Sequence, residues 1–231
     1  MRRTLLLLLA LVACGGDDKK ATPDAPVTPM IDAAIDAPGL LALDCTTYCA
    51  HLATDCTAAN AQISMANCMG TCAAFPPGAA ADTSGNTLGC RNYHLQNIEV
   101  RGMSAATHCP HAGPVGGPIA GATAVCGTSP CDDFCAIQTK VCGTDASTVT
   151  VGGMVITNRY PTLAACTTAC AAFTKTPEAS PTVTTGNTFA CRIYHLTNAA
   201  AQTAFAGANA HCGHTLDSTN FPMATVGPCF Q

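Results

Sequence analysis

Apolar and cysteine positions along this chain fall at helical spacing, and they do so twice. Cys45, Cys49, Leu52 and Cys56 step by four, three and four residues, which places them on one stripe of a helix. Cys131, Cys135 and Cys142 repeat that stripe. A second stripe runs through Met65, Cys68, Cys72 and Phe75, and Leu163, Cys166, Cys170 and Phe173 answer it. Pro161 is expected in the first turn of the latter helix, where its missing N–H costs nothing. A third helix is expected after Thr87 and Thr188, both good N-caps, with Gly85-Asn86 and Gly186-Asn187 making the turn before them. Cys90, Tyr93, His94, Asn97 and Arg101 then lie near one face. The second copy continues through an alanine-rich run, Ala199 to Ala210, with Gly102 and Gly207 placed to end or loosen these helices. Pro110 to Gly121 and Gly213 to Gly227 read as loop. Between Cys142 and Cys166 the second copy is twelve positions longer than its counterpart, Cys56 to Cys68. That insertion holds Thr148 to Thr157, β-branched residues alternating around Gly152-Gly153. It reads as a short β-hairpin, with a Thr/Gly loop as the alternative.

The expected fold is therefore mainly α: two tandem small disulfide-rich helical modules, with a short β-hairpin in the second. Module one, residues 44–127, holds Cys45, Cys49, Cys56, Cys68, Cys72, Cys90, Cys109 and Cys126. Module two, residues 128–231, holds Cys131, Cys135, Cys142, Cys166, Cys170, Cys191, Cys212 and Cys229. Both open with C-x3-C-x6-C, both contain a second C-x3-C followed three residues later by Phe75 or Phe173, and both end on a gap of 17 positions. This is an internal repeat, joined at the turn-rich Gly127 to Pro130. Antiparallel helices with facing C-x3-C pairs accept two cross-links each, outer with outer and inner with inner. The expected bridges are Cys45–Cys72 and Cys49–Cys68, then Cys131–Cys170 and Cys135–Cys166. Spacing leaves the other four cysteines of each module unassigned.

Composition says why staples are needed. Of 231 residues, 48% are apolar, but alanine and cysteine inflate that figure, Trp is absent and aromatics make 5%. A small domain with so thin a core usually depends on covalent links. Of 17 cysteines, Cys14 stands apart and the others divide eight and eight, as in a fully oxidised protein outside the cytoplasm. The formal net charge of −4 falls to −6 if Arg2 and Arg3 are removed, and there is no basic patch, so nucleic acid is not an expected partner.

Met1-Arg2-Arg3 is a short positive region, and Leu5 to Val12 is apolar but far shorter than a membrane span. Leu11-Val12-Ala13-Cys14 resembles the lipobox of bacterial lipoproteins. That resemblance implies a signal peptide over 1–13, cleavage before Cys14, a thioether-linked diacylglycerol and an acylated amino group. Several acyl chains anchor firmly, at about 0.8 kcal/mol for each buried methylene. Gly15 after the lipidated residue implies the outer membrane, with the protein facing the periplasm or the cell surface. Residues 14–43 read as lipidated cysteine and disordered tether, with prolines at 23, 26, 29 and 38 and no apolar periodicity.

Six of the seven histidines recur in register: His94, His108 and His111, then His195, His211 and His214. The pattern is C-R-x-Y-H-L followed by H-C-x-H, and here the whole region after the leader resembles a class of cysteine-rich bacterial lipoproteins. That resemblance implies location and is silent on mechanism. Three imidazoles suit zinc or copper with one open position, if the chain brings His94 to the other two. The spacing matches no standard metal motif, and C-x-x-C-H for haem attachment is absent. Packing is the leading expectation for these rings, transition-metal binding the alternative, and contact with another ligand the third. Arg91 and Arg192 beside them are expected either in surface salt bridges or capping carbonyls. No H-E-x-x-H, G-x-S-x-G or Walker-type loop is present, and the acidic residues make no repeated pair. The leading function is a membrane-anchored extracytoplasmic structural or binding module for an unknown protein or small-molecule partner. The alternatives are a metal-binding or redox protein and an enzyme of unknown type. Replacing Cys14→Ser is expected to release the protein from the membrane fraction with the modules still folded. Intact mass checks this, and an unlipidated mature terminus at another residue would refute it.

Overall fold

In this computed structural model, residues 40–143, 148–151, 154–157, 160–202, 210–217 and 227–230 are described. The leader, Cys14, most of the tether, Gly152-Gly153 and Gly207 lie outside them. The helices are α1 (Cys45–Asp55), α2 (Met65–Ala74), α3 (Leu88–Glu99), α4 (Ala105–Ala112), α5 (Pro130–Cys142), α6 (Leu163–Ala171) and α7 (Phe189–Ala201). A further helical turn spans 210–213. Strands β1 (Thr148–Val151) and β2 (Met154–Thr157) pair antiparallel with Val151 opposite Met154. The protein is mainly helical and disulfide-rich. No helix among the described residues is long and apolar enough to cross a membrane.

Local chemistry accounts for the helix ends. The Asp44 carboxylate accepts from the Thr47 N–H at 2.8 Å and starts α1. Ser129 caps α5 with Pro130 at its first position, and Asp132 and Asp133 occupy the positive end of the helix dipole. The hydroxyls of Thr87 and Thr188 accept from the N–H of Cys90 and Cys191, both at 3.1 Å. Gly85 and Gly186 precede them at φ of +86° and +94°, a conformation few residues other than glycine adopt. At the end of α3, Gly102 sits at φ +61° and donates to the Ile98 carbonyl, an αL stop, while Met103 donates to that of Asn97.

The bridges follow one scheme in both modules. Cys45–Cys72 and Cys49–Cys68 staple α1 to α2, and Cys131–Cys170 and Cys135–Cys166 staple α5 to α6, the outer-with-outer arrangement expected of facing C-x3-C pairs. The cysteines that spacing left unassigned pair as Cys56–Cys109, Cys90–Cys126, Cys142–Cys212 and Cys191–Cys229. The loops closed run from 19 positions to 70. By the chain-entropy argument each bridge stabilises by roughly 3–4.5 kcal/mol. Tyr48, Leu52, Phe75 and Leu95 fill module one around them, and Phe134, Phe173, Phe189 and Leu196 fill module two.

Three expectations need correction. Pro110 to Gly121 is not all loop, because Pro110 lies in the last turn of α4. In a helix this short, proline removes only one backbone bond, the one to the Ala106 carbonyl. Pro161 is not in the first turn of α6; it precedes the N-cap, Thr162. Met65 and Leu163 do not complete a buried stripe, being 44% and 55% exposed. Cys56 and Cys142 bridge to Cys109 and Cys212 rather than packing on α2 and α6, so the contact between the stapled helices begins at Cys68 and Cys166.

Residues 38–231 form one compact unit, and the repeats meet in it with close fit. Helix α2 lies against α7 so tightly that a Cβ on Gly70 would sit 2.1 Å from the Ala200 carbonyl oxygen. The Lys140 ammonium of α5 donates to the Ala73 and Ala74 carbonyls at the end of α2, at 2.8 and 3.1 Å. Asp133, also on α5, is buried against Gly116 and Gly127, where an added Cβ would overlap its carboxylate. Burial pushes this carboxyl up to about 7, against the opposing pull of Arg91.

Two outcomes are expected. Thiol titration of the denatured, unreduced region 44–231 finds no free cysteine, and reduction makes it protease-sensitive; two or more free thiols per module would refute the scheme. Gly70→Val costs about 1–3 kcal/mol by overpacking, read as a lowered melting temperature with all bridges retained.

Candidate metal centres

Each module gathers its three histidines at one point. His94 is carried by α3, one turn after Cys90, and His108 and His111 project from α4 at helical i, i+3 spacing. In module two His195 is on α7, His211 belongs to the helical turn 210–213, and His214 follows it. The close pair is thus held by helix in module one, and by a helical turn and the residue after it in module two, rather than by loop as the sequence suggested. Cys109 and Cys212, between its members, tie it to the ends of α1 and α5.

The rings meet through their Nδ1 atoms. His94 and His108 face each other at 2.8 Å, His195 and His211 at 2.9 Å, and His214 reaches His195 at 3.2 Å. His111 stands edge-on to His94, with ring centroids 4.7 Å apart, and its Nδ1 is buried without a hydrogen-bond partner. In each triad one ligand nitrogen per ring lies within 4.8 Å of the others. Two Nδ1 atoms in contact need one N–H and one lone pair, or two lone pairs directed at a cation. A tetrahedral ion with metal–nitrogen bonds of about 2.0–2.1 Å separates its ligands by about 3.3 Å. The pairs at 2.8–3.2 Å need to part by only a few tenths of an ångström and the remaining pairs to close from within 4.8 Å, so the residues fit such an ion after modest ring movement.

Electrostatics keep these rings neutral. Burial pulls His94 down to about 4, and its two histidine neighbours add to the effect. Burial likewise takes His195 and His214 to about 4, and lowers His108, His111 and His211. Neutral imidazole is the form that donates to a metal.

Residues that the sequence left ambiguous or silent hold the triads in place. Arg91 is fully buried and donates to the carbonyls of Gly113, Pro114 and Thr87, each at 3.1 Å, with its guanidinium 3.8 Å above the Phe75 ring. Arg192 donates to the carbonyls of Leu216 and Thr188 and to Asn187 Oδ1, 4.0 Å above Phe173. Of the two roles foreseen for these arginines, carbonyl capping is the one present, and it is internal. The carbonyl just after the last histidine is held by a tyrosine hydroxyl: Tyr48 to Ala112 at 2.7 Å, and Tyr160 to Thr215 at 3.1 Å. Behind His195, Nε2 meets the Thr184 carbonyl at 3.2 Å. Thr83 is its counterpart: its backbone faces His94 and opposes the downward shift of that ring, though Nε2 is buried short of a well-formed hydrogen bond. The repeated Thr-x-Gly-Asn-Thr, at Thr83 and Thr184, was the available signal. Nothing in sequence pointed to Tyr160, since Phe134 occupies the position of Tyr48. His51, without a repeat, pairs with Asp55 and Glu99 away from the triads.

No curated protein and no solved structure matches this chain. Residues 40–128, which cover module one and less than half of the chain, match the family model for the BfoA family C-terminal domain.

Proposed function

We propose that this is an exported metal-binding protein with one three-histidine site per module, tethered to the outer membrane through lipid on Cys14. The observation that carries the reading is the twofold convergence of three neutral, largely buried imidazoles, their ligand nitrogens within 4.8 Å of one another. Three nitrogen donors with a fourth position open suit zinc or copper. His94 with His108 and His111, and His195 with His211 and His214, would hold the ion. A packing role alone leaves His111 Nδ1 buried and unpartnered, which costs about 1–3 kcal/mol and gains nothing. Anchoring rests on the lipobox-like Leu11 to Cys14, and it would place both sites outside the cytoplasm, where scarce metal is captured or carried.

Elemental analysis of untagged protein is expected to give two equivalents of one transition metal per chain. His108→Ala removes one equivalent with module one folded, and His211→Ala removes the other. If neither variant changes metal content and both only lower the melting temperature, the histidines are packing residues. The acid limb follows from burial. An imidazole whose pKa is lowered when folded stays neutral, and free to bind, below its ordinary value of about 6.5. Affinity is therefore expected to persist through pH 6 and to fall as pH approaches about 4, where His94, His195 and His214 titrate. The metal-free fold weakens over the same interval, because the unfolded chain takes up protons first. Zinc titrations at stepped pH check this; a midpoint at 6.5 or above would contradict it.

A further inference from the structure

We propose that each module carries a second, redox-gated ligand set that shares a histidine with the first: Cys90, Cys126 and His94, repeated as Cys191, Cys229 and His195. Cys90 precedes His94 by one turn of α3, so sulfur and imidazole lie on one helix face. The Cys90–Cys126 bridge brings the second sulfur to the same place. The two Sγ atoms and a ring nitrogen lie within 4.8 Å of one another, all three residues are buried, and the arrangement recurs in module two. A second observation points to a ligand: the Nε2 of His94 is buried without a partner, while Nδ1 faces His108. Closed, the bridge commits both sulfurs to each other. Opened, it leaves two thiols beside an imidazole, a soft donor set suited to zinc or cuprous ion.

The opening step balances with a dithiol reductant as co-reactant. One thiolate of the reductant attacks a bridge sulfur, its second thiol displaces the mixed disulfide, and the reductant leaves as its own disulfide. Two electrons and two protons have then passed to Cys90 and Cys126. Binding a divalent ion as dithiolate releases those two protons. Both cysteines are fully buried, so the reductant reaches the bridge only as the segment around Val125, itself 38% exposed, moves aside. The inference does not require His108 or His111 to bind metal.

Cobalt(II) is the probe, because a cobalt–thiolate bond gives an intense near-ultraviolet charge-transfer band that cobalt–imidazole bonds lack. In Cys126→Ala the Cys90 thiol is freed with no reductant and the other bridges intact. Cobalt is expected to produce the band, His94→Ala to abolish it, and His108→Ala to leave it in place. Loss of cobalt binding on His108→Ala in the bridged protein bears on the three-histidine site alone, so the two readings fail separately. Should Cys126→Ala not fold, the natural chain opened with limiting dithiothreitol is alkylated with and without cobalt. Slower labelling of Cys90 and Cys126 in cobalt supports the site. No band in the folded variant, or equal labelling in the natural chain, overturns it.

Discussion

The arrangement of each module depends on a buried guanidinium. Arg91 has no solvent exposure and meets three carbonyl oxygens, two of them immediately after the His108–His111 pair. Removing a charge from water is costly, and carbonyl dipoles on one side with an aromatic face on the other offset that cost. An ammonium could not replace it, because one planar fork reaches Gly113, Thr87 and Pro114 at once. The consequence reaches the histidines directly. The arginine is on α3 beside His94, and the carbonyls it holds are on the segment leaving α4, so one side chain sets the distance between the two halves of the triad. Arg192 repeats the arrangement with Thr188, Leu216 and Asn187.

Around that point the disulfides supply what the core lacks. Cys56–Cys109 and Cys142–Cys212 pass through the middle of the H-C-x-H segments, so the ring positions are fixed covalently from one side and by arginine from the other. Rigidity of this kind lets three imidazoles approach without protonation. Each ring is at least partly desolvated, and within each triad neighbouring rings add to the cost of charging. A site whose donors are held neutral and close before metal arrives has already met most of the ordering cost of binding.

Much of this was legible beforehand, for reasons that particular residues show. Helical stripes through Cys45, Cys49 and Leu52 and through Cys68, Cys72 and Phe75 carried the stapled pairs, since helix geometry alone sets which cysteines face. The caps at Thr87 and Thr188 and the pairing of Thr148–Val151 with Met154–Thr157 are local chemistry and read as such. What failed was long-range or balanced between rules. Pro110 argued for loop and was outweighed by the bridge at Cys109 and the carbonyl contacts after it. The pairing of Cys56 with Cys109 depends on how α4 returns to α1, which no spacing encodes. The burial of Arg91 was hidden because arginine seldom goes inside, and the repeat alone could not say whether it pointed in or out.

The contact between the repeats is head-to-tail: the second helix of module one receives the third helix of module two. Unlike a twofold interface, such a contact leaves the complementary surfaces of both partners free, and in principle it extends without limit. The residues that would carry the next step are altered. Thr168 stands where α2 has Gly70, and it is exposed on α6, so the slot that admits a neighbouring backbone is filled there. At the other end, exposed Glu99 occupies the place of Ala200 and is held by His51 at 3.1 Å. Each outer face thus carries a larger, polar side chain where the inner contact has glycine or alanine, as the terminal repeats of longer arrays do.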